Sequence, residues 1–111
     1  METLDIVKAL GAIAHASRLA VFRLLVQAGP AGLPAGKLAE LTGLAPSSLS
    51  FHLKELSLAN MVSSTQEGRF VIYSARYETM NAVLAYLTEN CCGGNPCTPV
   101  AVCCVPEGEK A

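Results

Sequence analysis

Five cysteines lie close together near the end of this chain of 111 residues, all between positions 91 and 104. An odd number of cysteines confined to one segment does not suit a disulfide framework, whose bridges join distant parts of a fold. Thiolates bind soft ions, and neighbouring thiols are also open to oxidation. The segment therefore predicts either a ligand site or a redox site.

The first three cysteines can converge on one ion. Two adjacent side chains cannot point the same way from a regular helix, but at a fraying helix end they can. Gly93 and Gly94 allow the chain to fold back, and a turn at Pro96 brings the next cysteine round. Trivalent arsenic favours three thiolates in a trigonal pyramid. We therefore predict an As(III) site formed by Cys91, Cys92 and Cys97.

Several alternatives stay open for this segment. Sb(III) binds thiolates in the same way as As(III), and methylated As(III) needs only two thiolates. Zinc, cadmium or oxidation of the thiols are further signals to which the same cysteines could respond. Cys103 and Cys104 are a second thiol pair, ligands contributed to the site of a second subunit, or cysteines without a role in ion binding. A thiol enzyme is disfavoured because such enzymes place C-x-x-C at the start of a helix in a βαβ unit. We expect no enzyme activity and no organic cofactor.

Before the cysteines, the hydrophobic pattern predicts a mainly α-helical domain with one β-hairpin. Leu49, Leu53 and Leu56 follow the helical period, and Gly43 and Pro46 are typical of a helix end and a helix start. Periodicity then changes to two, which favours strands. The predicted helices span residues 3–14, 18–27 (with Ser17 as cap), 35–42, 46–59 and 77–90, and the strands 61–65 and 69–74 with a connection at 66–68.

Two short helices joined by a tight turn, the second of them polar on one side, are typical of a helix-turn-helix. The second helix can enter the major groove of DNA, and the hairpin after it suits a wing that contacts phosphate or the minor groove. Phe51 lies on the same polar side but is assigned no role. The predicted DNA-binding residues are Ser47, Ser48, Ser50, His52 and Lys54 on the helix and Arg69 in the hairpin.

Overall charge and hydropathy add limits to this interpretation. The formal net charge is −1, which argues weakly against nucleic acid, although local clustering matters more for phosphate contacts than the sum. The longest apolar stretch is interrupted by Arg23 and is too short to cross a bilayer. The N-terminus has early acidic residues and no basic region typical of a signal peptide. We expect a cytoplasmic protein, not a membrane protein, with reduced thiols.

The order of these parts resembles the ArsR (ArsR/SmtB) family of winged-helix metal sensors. The likeness covers about residues 5–88, through LGAIAHASRLAVFRLLVQAG and LAELTGLAPSSLSFHLKELSLANMVSSTQEGRFVIYSA, and LSFHLKEL is its most specific stretch. The resemblance implies a winged helix-turn-helix homodimer, paired through its first and last helices, that represses transcription from double-stranded operator DNA until an inducer binds. It also implies that the four polar residues 47, 48, 50 and 52 lie on the recognition helix.

Two sensing sites known in the family are missing from this sequence. The segment 33–39 has no cysteine for the arsenic site of the early helix, and residues 77–90 have no histidine for the zinc site of the last helix. Some members instead carry a vicinal cysteine pair and one further cysteine just past the last helix. The resemblance thus implies an arsenite-responsive repressor with a DNA-binding and dimerisation domain at 1–90 and a sensing tail at 91–111.

Overall fold

The computed structural model describes residues 2–94, and the structural statements below concern this part of the chain. Helices dominate it, and a small antiparallel sheet contains a hairpin that follows the fourth helix, which confirms the predicted mainly α fold with a β-hairpin. The elements are α1 (Thr3–Ile13), α2 (Ala16–Ala28), β1 (Leu33–Pro34), α3 (Ala35–Thr42), α4 (Pro46–Leu58), β2 (Val62–Glu67), β3 (Phe70–Ala75) and α5 (Tyr77–Thr88), with a short 3-10 turn at Cys91–Gly94.

One hydrophobic core joins the helices and the base of the sheet. The predicted stripe of α4 is confirmed, because Leu49, Leu53 and Leu56 are each 2% exposed or less. They pack in the same cluster as Leu25 of α2 and Leu38 of α3, both fully buried. Each buried leucine of this kind stabilises the fold by about 1.5–3 kcal/mol relative to an exposed one. The core therefore fixes which side of α4 faces outward.

The turn between α3 and α4 is held by local hydrogen bonds. Gly43 adopts the left-handed conformation with φ 74°, and its N–H donates to the carbonyl of Ala39 at 2.9 Å. The Thr42 hydroxyl donates to the carbonyl of Leu38 at 2.7 Å and accepts from the N–H of Leu44 at 3.2 Å. These bonds satisfy groups that the end of a helix leaves without intrahelical partners. They fix the direction in which α4 leaves the turn.

The predicted cap of α2 was wrong by two residues. The helix begins at Ala16, and His15 is the capping residue, with an extended backbone and a ring Nδ1 that accepts from the N–H of Ser17 at 3.2 Å. An imidazole nitrogen thus fills the role expected of the Ser17 hydroxyl. Three further helices end earlier than predicted: α1 and α4 by one residue, and α5, which ends at Thr88, by two.

Strands β2 and β3 form a longer hairpin than predicted. Their register pairs Val62 with Ala75 at the base and Glu67 with Phe70 at the tip. The turn is therefore the two residues between, not the predicted 66–68, and Gly68 adopts the positive φ of 65° that this tight connection requires. Because β2 is buried only at its first residue, the tip of the hairpin extends away from the core.

A third strand was not predicted. β1 is only two residues long and pairs with β3, with Leu33 opposite Tyr73 and Pro34 opposite Ile72, so the sheet order is β1-β3-β2. Gly32, directly before it, has φ 73° and passes close to the β3 backbone. Since β1 leads straight into α3, it ties the first helix of the helix-turn-helix to the hairpin.

Helix α5 is attached to the body of the domain at its first residue. The hydroxyl of Tyr77 donates to the carbonyls of Leu25 and Val26 at 3.3 and 3.2 Å, at the end of α2. Near its other end, the hydroxyl oxygen of Tyr86 lies 2.7 Å from that of Thr3 in α1. α1 and α5 are therefore neighbours within the domain.

Within residues 2–94, no single helix has both the length and the apolar composition needed to cross a membrane. α1 and α2 satisfy that test only when taken together, by length and composition alone, and they are bent by 101° where they meet.

Candidate nucleic-acid interface and thiol pair

The first turns of α4 present a polar surface. Ser47, Ser48 and Ser50 are all exposed, and they point away from the core because Leu49 and Leu53 occupy the buried side. Three hydroxyl groups, each both a donor and an acceptor, thus lie at the start of the helix. Such short side chains are suited to phosphate oxygens and to base edges.

Two exposed cations accompany these hydroxyl groups, one on the helix and one on the hairpin. Lys54 lies on α4 at i+4 from Ser50, and Arg69 lies in the two-residue turn at the tip of the hairpin. Neighbours at i and i+4 share one face of a helix. The structure therefore places positive charge both beside the polar start of α4 and at the end of the hairpin, where phosphate can be reached.

His52 has a different environment from the one predicted. It is half-buried, and its Nδ1 accepts a hydrogen bond from Nε of Arg18 at 3.1 Å. A ring nitrogen that accepts carries no proton, so the imidazole is neutral and Nε2 is its donor. Burial lowers the pKa of His52, and the charges of His15 and Arg18 lower it further. His52 is thus first of all a partner of Arg18.

Arg18 and Phe51 were missed as functional residues by the sequence analysis. The guanidinium carbon of Arg18 lies 5.5 Å from the centre of the Phe51 ring, and the His15 and His52 rings are 4.9 Å apart. We call His15, Arg18, Phe51 and His52 the arginine–aromatic cluster. It joins the start of α2 to the middle of α4. No sequence signal reveals it, because Arg18 and His52 are 34 positions apart.

The vicinal cysteines follow directly on α5. The sulfur atoms of Cys91 and Cys92 are 3.7 Å apart, with the Cys91 thiol as donor. Asn90 and Cys92 both have φ 56°, in the left-handed region, so the regular helix has ended and the two side chains can approach each other. Cys91 is half-buried and Cys92 is exposed. The predicted convergence of adjacent thiols at a helix end is thus sterically feasible.

The other three predicted ligands come later in the sequence than the vicinal pair. Cys97, Cys103 and Cys104 lie outside the described residues. Among residues 2–94, no group of three or more histidine, cysteine, aspartate or glutamate side chains is arranged to hold a metal ion. Within one subunit, a site with three thiolates therefore needs at least one ligand from beyond residue 94.

The fold and the surface of α4 define a class of protein. A short helix, a tight turn, a second helix with polar side chains outward, and a hairpin tipped by arginine make a winged helix-turn-helix DNA-binding domain. A family model described as a helix-turn-helix domain matches residues 13–65, which include α3, α4 and the start of the wing. From here on, the β2–β3 hairpin is called the wing.

Comparison with known proteins identifies the family. The chain is 32% identical over 83 residues to the HTH-type transcriptional regulator YgaV of Escherichia coli, covering 75% of this chain and 82% of that protein. It is also similar to the crystal structure of an ArsR family transcriptional regulator, with a TM-score of 0.68, 26% identity, and 81% and 90% of the two chains covered. A homodimeric winged helix-turn-helix DNA-binding domain from Mycobacterium bovis shares the fold, with a TM-score of 0.64, 20% identity and 76% of each chain covered.

The chain belongs to the ArsR family of winged helix-turn-helix transcriptional regulators. It is a DNA-binding regulator, and since its relatives are regulators too, the prediction that it is not an enzyme is confirmed. The predicted family and winged-helix fold are confirmed as well. The individual DNA contacts and the thiol ligands stay predictions.

Proposed function

We propose that this regulator is a metalloid-responsive repressor. As a homodimer it binds operator DNA through α4 and the wing, and it leaves the operator when trivalent arsenic binds Cys91, Cys92 and Cys97. The observation that carries the proposal is the pair of sulfur atoms 3.7 Å apart just past α5. Soft thiolate ligands select thiophilic ions of this kind. The proposal assigns the protein to the cytoplasm, where thiols remain reduced.

The chemistry of binding needs no oxidant. Arsenous acid exchanges its three hydroxide ligands for three thiolates, and each thiol proton leaves with a hydroxide as water, so arsenic stays trivalent. Antimony(III) can react in the same way. Methylated As(III) keeps its carbon bond and needs only Cys91 and Cys92. Zinc prefers four ligands in a tetrahedron, so it would draw on Cys103 or Cys104 as well.

The DNA-binding half of the proposal rests on the outward side of α4. Ser47, Ser48 and Ser50 supply hydroxyl groups to phosphates and base edges, and Lys54 and Arg69 supply charge. His52 contributes through its Nε2–H and by holding Arg18. In a two-fold symmetric dimer, the two recognition helices would lie about 34 Å apart, one turn of DNA. A symmetric operator follows from that geometry.

The homodimer is supported by an apolar surface on α1 and α5. Leu4 and Val7 of α1 are 76% and 57% exposed, and Leu87 of α5 is 58% exposed. Exposed apolar side chains grouped on neighbouring helices are typical of a protein–protein interface. The similar domain from Mycobacterium bovis is described as homodimeric, which is consistent with pairing through this surface.

Coupling between the thiols and DNA would pass through α5. The Cys91–Cys92 pair follows the helix that carries Leu87, so an ion that gathers the tail around these sulfurs changes the end of the dimer surface. A changed angle between subunits alters the spacing of the recognition helices. Coupling free energies of this kind are about 1–3 kcal/mol, or roughly 5–150-fold in affinity. By linkage, operator DNA weakens arsenite binding by the same factor.

The test uses the full-length reduced protein and an operator selected from a random DNA library. Fluorescence anisotropy measures release of the operator as arsenite is added. We expect Cys91→Ser, Cys92→Ser and Cys97→Ser to keep operator binding and to lose release. Cys103→Ser is the matched control and keeps release. Release that persists in both Cys91→Ser and Cys92→Ser would overturn the assignment.

The same assay separates the alternative signals. Antimonite, methylarsenite, zinc and cadmium are titrated in parallel, and peroxide is added without any metalloid. Release by peroxide alone, abolished by Cys92→Ser, would identify a redox-responsive repressor, because vicinal thiols can oxidise. Release by zinc or cadmium but not by arsenite would identify a divalent-metal sensor of the same fold.

A further inference from the structure

Phe51 exposes a large apolar ring in the middle of α4, among the polar side chains that are predicted to contact DNA. The ring is 53% exposed, although phenylalanine is a residue type most often buried. The chain has only three phenylalanines and no tryptophan, and Phe22 of α2 is 5% exposed. An exposed aromatic ring on a rigid helix leaves apolar surface that burial against a partner would stabilise.

Helix geometry places Phe51 on the side of the predicted DNA contacts. Each residue turns the helix by about 100°, so Leu49 and Leu53, two positions away on either side, lie roughly 160° from Phe51. Both leucines are buried at 2% exposure. Ser47 and Lys54 lie at i−4 and i+3 and therefore share the face of Phe51. The ring points to the same partner as these polar groups.

The arginine–aromatic cluster holds this ring in place from α2. Arg18 lies 5.5 Å from the ring centre, in a cation–π contact, and its Nε is hydrogen-bonded to His52 at 3.1 Å. His52 in turn contacts His15, whose own Nδ1 caps α2. The chain of contacts orients Phe51 before any DNA binds. Little side-chain entropy is then lost on binding, which favours a specific contact.

We propose that Phe51 determines part of the operator sequence by packing against the 5-methyl group of a thymine in the major groove, with Arg18 as its positioning residue. Thymine alone presents a methyl group there, and apolar side chains, phenylalanine among them, are the groups that contact it. The inference rests on the α4 surface proposed above for DNA binding. It does not depend on arsenic or on any cysteine.

The test replaces thymine by uracil, which removes only the methyl group. Full-length protein without inducer first selects its operator from a random library. Each thymine of one half-site is then replaced in turn, and affinity is measured by anisotropy. We expect uracil at one position to weaken binding about fourfold per half-site, the effect of one buried methyl group. Phe51→Ala should bind the thymine and uracil operators equally.

Leu41 of α3 provides the matched control, because it is an apolar residue of similar exposure, 50% exposed, that lies outside α4 and the wing. Leu41→Ala should keep the preference for thymine over uracil. Arg18→Met, which keeps the length of the side chain but not its charge or its bond to His52, should reduce the preference without abolishing it. Melting temperatures of all variants are measured alongside, so that a loss of the thymine preference is distinguished from a loss of the fold.

Three results would overturn the proposal. One is an operator in which no thymine methyl contributes to affinity. Another is a Phe51→Ala protein that keeps the same ratio of thymine to uracil affinity, whether or not its overall affinity falls. The third is a Phe51→Ala protein that changes its oligomeric state instead, which would make the ring part of a protein contact. If the original protein selects no sequence at all, the failure lies with the DNA-binding surface and not with Phe51 alone.

Discussion

Replacing Gly32 by alanine should weaken the connection between the helix-turn-helix and the wing. At φ 73°, a methyl group on this residue would overlap the carbonyl oxygen of Tyr73 and lie 3.0 Å from its carbonyl carbon. The obstacle is the β3 backbone, which cannot rotate away as a side chain can. The overlap with the Tyr73 backbone can be relieved only if β1 moves away from β3.

The magnitude follows from two contributions. The left-handed backbone conformation costs an alanine about 1–2 kcal/mol. Separation of β1 then removes backbone hydrogen bonds at Leu33 and Pro34, each of which contributes about 0.5–1.5 kcal/mol. The free energy of unfolding of Gly32→Ala should therefore fall by about 2–5 kcal/mol in total. That is a large fraction of the stability of a domain of this size.

Gly43 supplies the control that isolates the overlap. Its φ is 74°, nearly the same as that of Gly32, but among the described residues no atom lies within 4 Å of the position of an added methyl group. In Gly43→Ala, the free energy of unfolding should fall only by the cost of the left-handed backbone conformation. Urea unfolding at one fixed protein concentration measures both variants. Equal losses for Gly32→Ala and Gly43→Ala would refute the claim that close approach to β3 makes this glycine necessary.

Three further predictions concern His52, the wing and the dimer surface. Because the pKa of His52 is lowered in the folded state, the unfolded chain binds more protons than the folded one below about pH 6.5, and the free energy of unfolding should decrease as the pH falls through this range. In urea titrations, His52→Asn, which keeps a hydrogen-bond acceptor, should show a smaller decrease, and a decrease as large as that of the original protein would contradict this. Arg69→Ala should weaken operator binding and reduce the slope of log K against log salt by about one per arginine removed; an unchanged slope would exclude a phosphate contact. Leu87→Glu should sediment as a monomer while Leu41→Glu, on α3, stays a dimer, and dimers in both cases would place the interface elsewhere.

The helix-turn-helix was predictable because its signals are local. The spacing of Leu49, Leu53 and Leu56 fixed the buried side of α4, and Gly43 and Pro46 marked the turn on either side. Each of these signals depends on residues within one or two helical turns. The polar residues of α4 were placed outward for the same reason.

Features that depend on distant pairs were missed. β1 is two residues long and includes Pro34, so it has neither periodicity nor strand propensity, and only pairing with Ile72 and Tyr73 of β3 makes it a strand. The contact of Arg18 with Phe51 and His52 likewise exists only in the fold. The sequence identified the cysteines as candidate ligands. It did not predict the distance between the Cys91 and Cys92 sulfur atoms, because that distance depends on the backbone conformation at the end of α5.

The attachment of α5 has a mechanical consequence for the signalling proposed above. Tyr77 fixes the first residue of the helix to α2, whereas the two sulfur atoms follow the opposite end. Twelve residues separate these ends by about 18 Å at 1.5 Å per residue. If the Tyr86–Thr3 hydrogen bond to α1 gives way, a movement of about 3 Å at the sulfurs corresponds to a rotation of the helix axis by about 10° about the Tyr77 end. A small rearrangement around a bound ion would thus reach the partner subunit as a tilt, with its largest displacement near Leu87 and almost none beside α2.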